Sequence, residues 1–182
     1  MKKKKALIII LALIALLTAA YFYFDNRNRT LSPPGKVTES NSGLTVSISY
    51  SRPSVRGRLI FGTEEQSALL PYGKYWRLGA NESTQITFST DVLFNGEEAK
   101  AGTYRMYAIP GQNSFEIGLN TAVGKWGYSE PNYELDILRT KVPVSKNSHI
   151  EQFTIRLESA DGGIDVICEW SDVSFTIPVL TK

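Results

Sequence analysis

The segment from residue 50 to residue 82 carries the side chains best suited to binding a ligand. Three arginines fall within seven residues, and a fourth follows an aromatic run and precedes an Asn-Glu pair. Guanidinium groups form planar bidentate contacts with carboxylate or phosphate, and tryptophan and tyrosine rings present flat faces that suit sugars. We therefore predict a pocket for an anionic ligand or a saccharide. The candidate ligand-binding residues are Arg52, Arg56, Arg58, Tyr72, Trp76, Arg77, Asn81 and Glu82.

The same arginines also suit a structural role. An internal ion-pair network that joins Arg52, Arg56, Arg58 or Arg77 to Glu82 and other acids would tie irregular loops to the folded domain. Arginine is the cation most used in buried pairs. Spacing along the chain does not choose between a pocket and a network, so both interpretations stay open here.

A carboxylate-dependent hydrolase acting on envelope glycans is the alternative function. Glu82 would act with Asp136 or Glu134. Glycoside cleavage needs two carboxyl groups about 5–9.5 Å apart on opposite sides of the scissile bond. The sequence shows carboxylates without a recognisable pair, so no catalytic residue is assigned, and a binding or structural module is the favoured function.

The content of cysteine and histidine narrows the possible chemistry. Cys168 is the single cysteine, so an internal disulfide is ruled out. Cys168 lies two positions from apolar residues on either side, so in a strand its side chain points to the same face as theirs. We therefore predict a buried structural thiol. His149 is the single histidine and lies in a polar stretch that resembles a surface turn, which makes it a poor catalytic base. We predict no cofactor and no metal site.

The N-terminus predicts a membrane segment. Four lysines, Lys2 to Lys5, precede an apolar run from Ala6 to Phe24 that contains no charge, glycine or proline. As a helix these 19 residues would extend roughly 28 Å, close to the ~30 Å hydrocarbon core of a bilayer. The positive-inside rule keeps the lysines in the cytoplasm, so the remainder would lie outside it.

A cleaved signal peptide is the rival interpretation of this segment. The run is longer than a usual signal core, and no good small-x-small cleavage site precedes the aromatic residues Tyr21 to Phe24. We therefore predict a retained anchor in the cytoplasmic membrane, with the C-terminal domain in the cell envelope. If the signal is cleaved, the protein is secreted.

The charge outside the anchor argues against nucleic acid as a partner. Residues 25 to 182 contain 16 basic and 18 acidic side chains, a net charge of −2. The basicity of the whole chain thus comes from the N-terminal lysines, and nucleic-acid binding would need a basic face on the folded domain. The predicted partners are the membrane, through residues 6 to 24, and a glycan, an anionic ligand or an envelope protein.

Three regions are predicted along the chain. Residues 1 to 24 form the anchor, residues 25 to 42 form a polar stalk rich in Asn, Ser, Pro and Gly, and residues 43 to 182 form a β domain. In the β domain apolar residues recur with period two, as in half-buried strands. Turn residues separate these runs at Asn95-Gly96, Pro110-Gly111, Asp161-Gly162-Gly163 and Ser171-Asp172.

One segment of the β domain predicts helix. Between Glu130 and Arg139, Pro131 can begin a helical turn, and Leu135 and Leu138 are three residues apart. Eight or more short strands with one helical segment and no βαβ alternation predict an all-β fold. We expect an antiparallel β-sandwich or a flattened barrel, preceded by a single transmembrane helix.

Several short motifs resemble a known bacterial family, the one catalogued as domain of unknown function 2911. The motifs are Ser51-Arg52-Pro53, Arg56-Gly57-Arg58, Ile60-Phe61-Gly62, Leu70-Pro71-Tyr72-Gly73, Trp76-Arg77, Gly79-Ala80-Asn81-Glu82, Ala101-Gly102-Thr103-Tyr104, Tyr107-Ala108-Ile109-Pro110 and Trp126-Gly127. The resemblance covers roughly residues 31 to 179 and implies an exported, envelope-associated protein. It implies no activity and assigns no catalytic residue.

This chain departs from the family pattern in one place. Where the family often runs directly from Phe-Gly into Pro-Tyr-Gly, this sequence inserts residues 63 to 68, which include Glu64 and Glu65. We expect this acidic insertion to contact the neighbouring arginines.

Overall fold

The structure is a computed structural model that describes residues 2–124 and 126–182. It begins with a single long helix, α1 (Lys2–Leu31), whose run of Leu, Ile and Ala favours helix and contains no breaker. Within the described residues, α1 is the one helix long and apolar enough to cross a membrane. Length and composition are compatible with either a signal segment or an anchor.

The rest of the chain is mostly β-structure, with strands accounting for 52% of the residues. Six strands form the larger sheet in the order β1-β2-β5-β8-β9-β10, and every neighbouring pair is antiparallel. These strands are β1 (Pro34–Asn41), β2 (Leu44–Ser51), β5 (Gln85–Phe88), β8 (Gly102–Ile109), β9 (Ser114–Asn120) and β10 (Asp136–Pro143).

A smaller antiparallel sheet has the order β11-β12-β6-β7. Its strands are β6 (Val92–Phe94), β7 (Glu97–Ala99), β11 (Ser145–Ala160) and β12 (Gly163–Thr181). A short parallel pair, β3 (Phe61–Gly62) and β4 (Leu70–Pro71), lies outside both sheets. Asn95-Gly96 and residues 161 to 163 form the two hairpin turns of the smaller sheet, as their sequences predict.

Residues from both sheets form one apolar core. The alternating side chains of β2, β5, β8 and β9 in the larger sheet pack with those of β6, β11 and β12 in the smaller one. This arrangement confirms an all-β sandwich of antiparallel sheets, and neither strand order closes into a barrel. At one end of the core lies an aromatic cluster of Tyr50, Phe61, Trp76, Phe115, Phe153 and Trp170.

The sequence predicts two strands separated by a turn at Ser171-Asp172, but the structure has the single strand β12 there. The turn predicted at Ser171-Asp172 is a bend within one strand, where Ser171 adopts a φ of 57°. Nineteen residues of straight strand would span about 60 Å. Instead, the strand bends so that its two ends lie close together. The N–H of Thr181 donates to the carbonyl of Gly162, the residue before β12, at 3.0 Å.

The polar stalk predicted for residues 25 to 42 takes a different form in the structure. Helix α1 continues through Asp25 to Leu31, and β1 follows after only Ser32 and Pro33. The polar composition allows this because β1 gains its stability from backbone pairing with β2 rather than from burial. Half of its residues remain exposed.

The predicted helical segment is shorter than expected. A 3₁₀ turn covers Tyr133–Leu135, and the side chain of Asn132 caps it by accepting from the N–H of Glu134. Residues 136 to 139 belong instead to β10, because their backbone pairs with β9. Pairing with the preceding strand overrides the local helical spacing.

The single cysteine and the single histidine lie in the smaller sheet. Cys168 is buried, and this burial raises the pKa of its thiol well above the ordinary range. The prediction of a structural thiol is confirmed. His149 is exposed, as expected, but belongs to the irregular part of β11 rather than to a turn.

Candidate functional site

A cleft of about 440 Å³ opens at the end of the sandwich where α1 meets the β domain. Five of the eight candidate ligand-binding residues line it, namely Arg56, Arg58, Trp76, Arg77 and Asn81. The other lining residues are Asn28, Leu31, Ser32, Pro53, Ser54, Leu69, Leu70, Tyr75, Gly79, Ala80, Tyr128 and Trp170. The motifs that drew attention in the sequence therefore converge on one surface.

Three arginines give this cleft a positive charge. Arg56 donates from Nη2 to the carbonyl of Leu31 at 3.0 Å, and Arg58 donates from Nε and Nη2 to the carbonyls of Val55 and Ser54. Arg77 donates from Nη1 to the carbonyl of Asn81 at 3.0 Å. Each guanidinium has five N–H donors, so each keeps donors that no other described residue occupies.

The ion-pair network predicted for these arginines does not form in the described part of the chain. All ten ion pairs there leave out Arg52, Arg56, Arg58 and Arg77. The guanidinium groups bond to backbone carbonyls instead: those of Arg58 and Arg77 lie within their own local turns, whereas Arg56 reaches Leu31 and Arg52 reaches Phe153. The lining residues of the cleft include no Asp or Glu.

Arg77 lies on a bulge in the larger sheet. Trp76 exchanges two backbone hydrogen bonds with Ala108 of β8, and Thr84 accepts one from Met106. Ala108 and Met106 are only two residues apart, so residues 77 to 83 have to leave the sheet. The bulge projects the Arg77 side chain beside the ring of Tyr128, with its guanidinium carbon 5.7 Å from the ring centroid.

A second segment packs on this bulge. Gly127 donates its N–H to the carbonyl of Asn81 at 2.9 Å and accepts from the hydroxyl of Tyr75 at 2.9 Å. A Cβ at Gly127 would lie 2.7 Å from Cδ of Arg77, so only glycine permits this approach. Desolvation in this setting lowers the pKa of Arg77, and the nearby Arg105 acts in the same direction.

Sequence reasoning missed Arg105. It lies on β8 with its side chain on the outward face of the larger sheet, yet it is only 2% exposed. Its Nη2 donates to the hydroxyl of Tyr75, a cleft residue, and to the carbonyl of Ser129 at 2.6 Å. No carboxylate contacts it within the described residues, so its charge adds to that of the cleft. The unusual charge on an otherwise apolar strand was the available signal.

The floor of the cleft consists of two stacked indoles. Trp76 and Trp170 lie with ring centroids 5.8 Å apart and planes at 23°, and they are 3% and 2% exposed. Within the described residues, neither indole N–H has a hydrogen-bond partner. Trp76 is therefore a core residue that reaches the cleft wall. Its flat face is covered by other rings and does not offer the stacking surface that the sequence suggested.

The rim of the cleft on one side is the end of α1. Asn81 donates from Nδ2 to the carbonyls of Ser32 and Asn28, at 3.2 and 3.5 Å, and Arg56 donates to Leu31 as described above. Glu82 accepts from Nη2 of Arg29 at 2.9 Å. We call these contacts of Arg56, Asn81 and Glu82 with the last turn of α1 the helix clasp. Arg56 and Asn81 thereby satisfy the carbonyls of Leu31 and Ser32 at the helix C-terminus, and Glu82 adds an ion pair with Arg29.

The remaining candidates lie outside the cleft. Arg52, the residue after β2, donates to the carbonyl of Phe153 and to the hydroxyl of Thr154 on β11. Tyr72 borders a different surface depression. Glu82 is occupied in the helix clasp. The acidic insertion does not contact the arginines either: Glu64 pairs with Lys74 at 3.2 Å, because a turn directs it there.

The carboxylates of the alternative hydrolase belong to separate surroundings. Asp136 accepts from Tyr107 at 2.6 Å, from Asn120 at 2.7 Å and from Arg139 at 2.7 Å. Glu134 lies in the exposed 3₁₀ turn, and neither residue lines the cleft. Among the described residues there is no group of three or more His, Cys, Asp or Glu side chains placed to hold a metal ion.

The chain matches the model of a known protein family. The model of a family described as Protein of unknown function (DUF2911) matches residues 32–179. The matched range contains every lining residue of the cleft except Asn28 and Leu31, and it begins where α1 ends. No curated protein and no solved structure shows a significant match.

Proposed function

This chain belongs to the DUF2911 family, which has no described function, and from its cleft we propose that it is a membrane-anchored binding module of the cell envelope that takes an anionic ligand. The observation that carries the proposal is the composition of the cleft wall. Arg56, Arg58 and Arg77 line it, and no carboxylate does. Arg77 is half-buried, and an unpaired charge in a partly dehydrated setting is unfavourable unless a counter-ion arrives.

The chemistry of the wall defines the class of ligand. Guanidinium donors fit the paired oxygens of a carboxylate or a phosphate. Tyr75 and Tyr128 add ring faces and edges beside those donors. An anionic sugar or a phosphorylated compound thus meets both kinds of contact, whereas a neutral sugar leaves the charge uncompensated.

The anchor part of the proposal is supported by α1. Its apolar surface is fully exposed within the protein, so it has no protein core to pack on. Burying such a surface in lipid is favourable by about 25 cal/mol per Å². Because the helix clasp holds the end of α1 against the β domain, removing the helix by cleavage would also remove part of the cleft rim.

Calorimetric titration of the full chain in an uncharged detergent tests the binding proposal. Inorganic phosphate and glucuronate are the probes, and glucose is the neutral comparison. We expect saturable heat for at least one anion, weakened by salt. Arg77→Gln should reduce affinity about tenfold or more, because it removes a charge-assisted contact.

The matched control is Arg156→Gln. Arg156 is an arginine on β11 whose partners are Glu158 and Glu169, and it does not line the cleft. This variant removes the same charge without touching the site, so its affinity should equal that of the unmodified chain. Absence of saturable heat for both anions, or equal losses in the two variants, would show that the proposal is wrong.

A further inference from the structure

The cleft lies close to the point where α1 would leave the membrane. The apolar run ends at Phe24, and Asn28 and Leu31 of the same uninterrupted helix line the cleft. At 1.5 Å per residue these two lie about 6 and 10 Å beyond Phe24. Headgroups occupy about 5–8 Å on each side of the hydrocarbon core. With the run in the membrane, Asn28 therefore stands at headgroup level and Leu31 just beyond it, so the cleft rim adjoins the headgroups.

The domain has little freedom to move away from that level. Only Ser32 and Pro33 separate α1 from β1, and the helix clasp joins three positions of the β domain to the last turn of α1. The N–H of Arg52 adds a further bond to the carbonyl of Pro33 at 2.9 Å. The cleft is thus held at a fixed height instead of hanging from a flexible stalk.

The surface around the cleft combines charge with exposed apolar side chains. Leu69 and Tyr128 line the cleft and are 41% and 76% exposed, and the nearby Trp126 is 50% exposed. Aromatic side chains favour the membrane interface, and arginines near an anionic surface add attraction. Such a mixture suits a surface that faces headgroups better than one that faces bulk water.

We propose that the cleft binds the phosphate group of an anionic phospholipid in the leaflet from which α1 emerges. This inference rests on the proposed function and specifies its ligand. Arg58 and Arg77 would bind the phosphate oxygens with their free N–H donors, and Tyr128 would cover the headgroup from the side. Arg56 would serve both the ligand and the carbonyl of Leu31, because only its Nη2 is engaged within the described residues.

Lipid retention by the full chain tests this inference. The protein is reconstituted in nanodiscs that contain phosphatidylcholine with a minor share of phosphatidylglycerol, then released into an uncharged detergent and weighed intact by native mass spectrometry. We expect one phosphatidylglycerol to remain bound in preference to phosphatidylcholine. Arg58→Gln with Arg77→Gln should reduce this retention about tenfold or more, and Arg156→Gln should leave it unchanged.

The N-terminal lysines require their own control, because lysines beside a membrane segment also attract anionic lipids. A variant that combines Lys2→Gln, Lys3→Gln, Lys4→Gln and Lys5→Gln should keep the bound lipid if the cleft holds it. Loss of the lipid in this variant alone, or equal retention of the two lipids by the unmodified chain, overturns the inference.

Titration of the protein with inorganic phosphate distinguishes failure of this inference from failure of the proposed function. Saturable binding of inorganic phosphate without preference for phosphatidylglycerol leaves the proposed function standing and rejects the lipid as its ligand. Absence of both kinds of binding rejects both proposals. Displacement of the retained lipid by inorganic phosphate would support a single shared phosphate site.

Discussion

Arg56 donates from Nη2 to the carbonyl of Leu31 at 3.0 Å, so a side chain of the β domain caps the last turn of the N-terminal helix. Arg56 also donates its backbone N–H to Glu151 of β11 at 3.0 Å. One residue thereby joins α1 to the smaller sheet. The position of the helix is a property of the folded domain and not of the helix alone.

Arg56→Gln should loosen the end of α1. The loss of one hydrogen bond to a carbonyl is worth about 1 kcal/mol in a partly exposed setting, which corresponds to about fivefold faster opening. Hydrogen exchange at Ser32, whose N–H bonds to Asn28, measures that opening. Arg156→Gln is the control, and equal exchange in both variants would contradict the role given to Arg56.

Asn81 should tolerate glycine better than alanine. Both variants lose the side-chain bonds to α1, but Asn81 has a φ of 55°, where a Cβ is unfavourable. The Asn81→Ala variant should therefore unfold at a lower denaturant concentration than the Asn81→Gly variant. Its free energy of unfolding should be lower by about 1 kcal/mol. Urea denaturation followed by tryptophan fluorescence measures the difference. The reverse order would mean that the left-handed conformation at this position does not persist.

Gly163→Ala should destabilise the fold far more than Gly162→Ala. A Cβ at Gly163 would lie 2.1 Å from the carbonyl oxygen of Val179, and backbone atoms cannot move aside easily. We expect a loss of about 3 kcal/mol or more. Gly162 has open space around it and a φ of 71°, so alanine there should cost only about 1–2 kcal/mol. Thermal unfolding of the two variants compares neighbouring glycines of one hairpin.

Trp76→Phe should reduce stability without abolishing anion binding. The indole N–H has no partner in the described part of the chain, so the substitution loses packing alone, at about 1–3 kcal/mol. Trp76→Ala should lose about 3–5 kcal/mol because it opens a cavity among stacked rings. Calorimetric titration beside urea denaturation separates the two effects. Loss of anion binding with unchanged stability would instead favour direct stacking on a ligand.

Stability should fall as the pH rises above about 8.5, the ordinary cysteine pKa. Burial raises the pKa of Cys168, so the folded state keeps the thiol proton that the unfolded state releases. The free energy of unfolding then decreases with pH, with a limiting slope of about 1.4 kcal/mol per unit. Urea denaturation between pH 8 and about 10 measures this slope. Cys168→Ala should reduce it, whereas an unchanged slope would assign it to other groups.

Much of the β-structure was predictable because burial on one face imposes a period of two. The runs Leu44–Tyr50 and Ile164–Trp170 lie in β2 and β12, and their alternating apolar side chains are buried. Strands β1 and β10 were not predicted, since their stability comes from backbone pairing at the ends of a sheet. Backbone pairing of an edge strand leaves little mark on the local pattern.

The candidate site was predictable in part for a similar reason. Arg56 and Arg58 lie two residues apart, and Arg77 and Asn81 lie within one bulge, so short sequence motifs marked each pair. The contribution of the last turn of α1, of Tyr128 and of Arg105 depends on how distant segments fold back. Charge on a strand such as β8 normally indicates solvent, but Arg105 is buried and donates to Tyr75 and Ser129, which belong to other segments of the chain.

The left-handed backbone at Arg56 and Leu78 has a consequence for any occupant of the cleft. Their φ values are 51° and 53°, and a side chain in this region costs about 1–3 kcal/mol. Folding of the sandwich core around the fully buried Leu78 offsets this conformational cost before any ligand binds. The walls are then preorganised, and a ligand spends none of its binding free energy on shaping them.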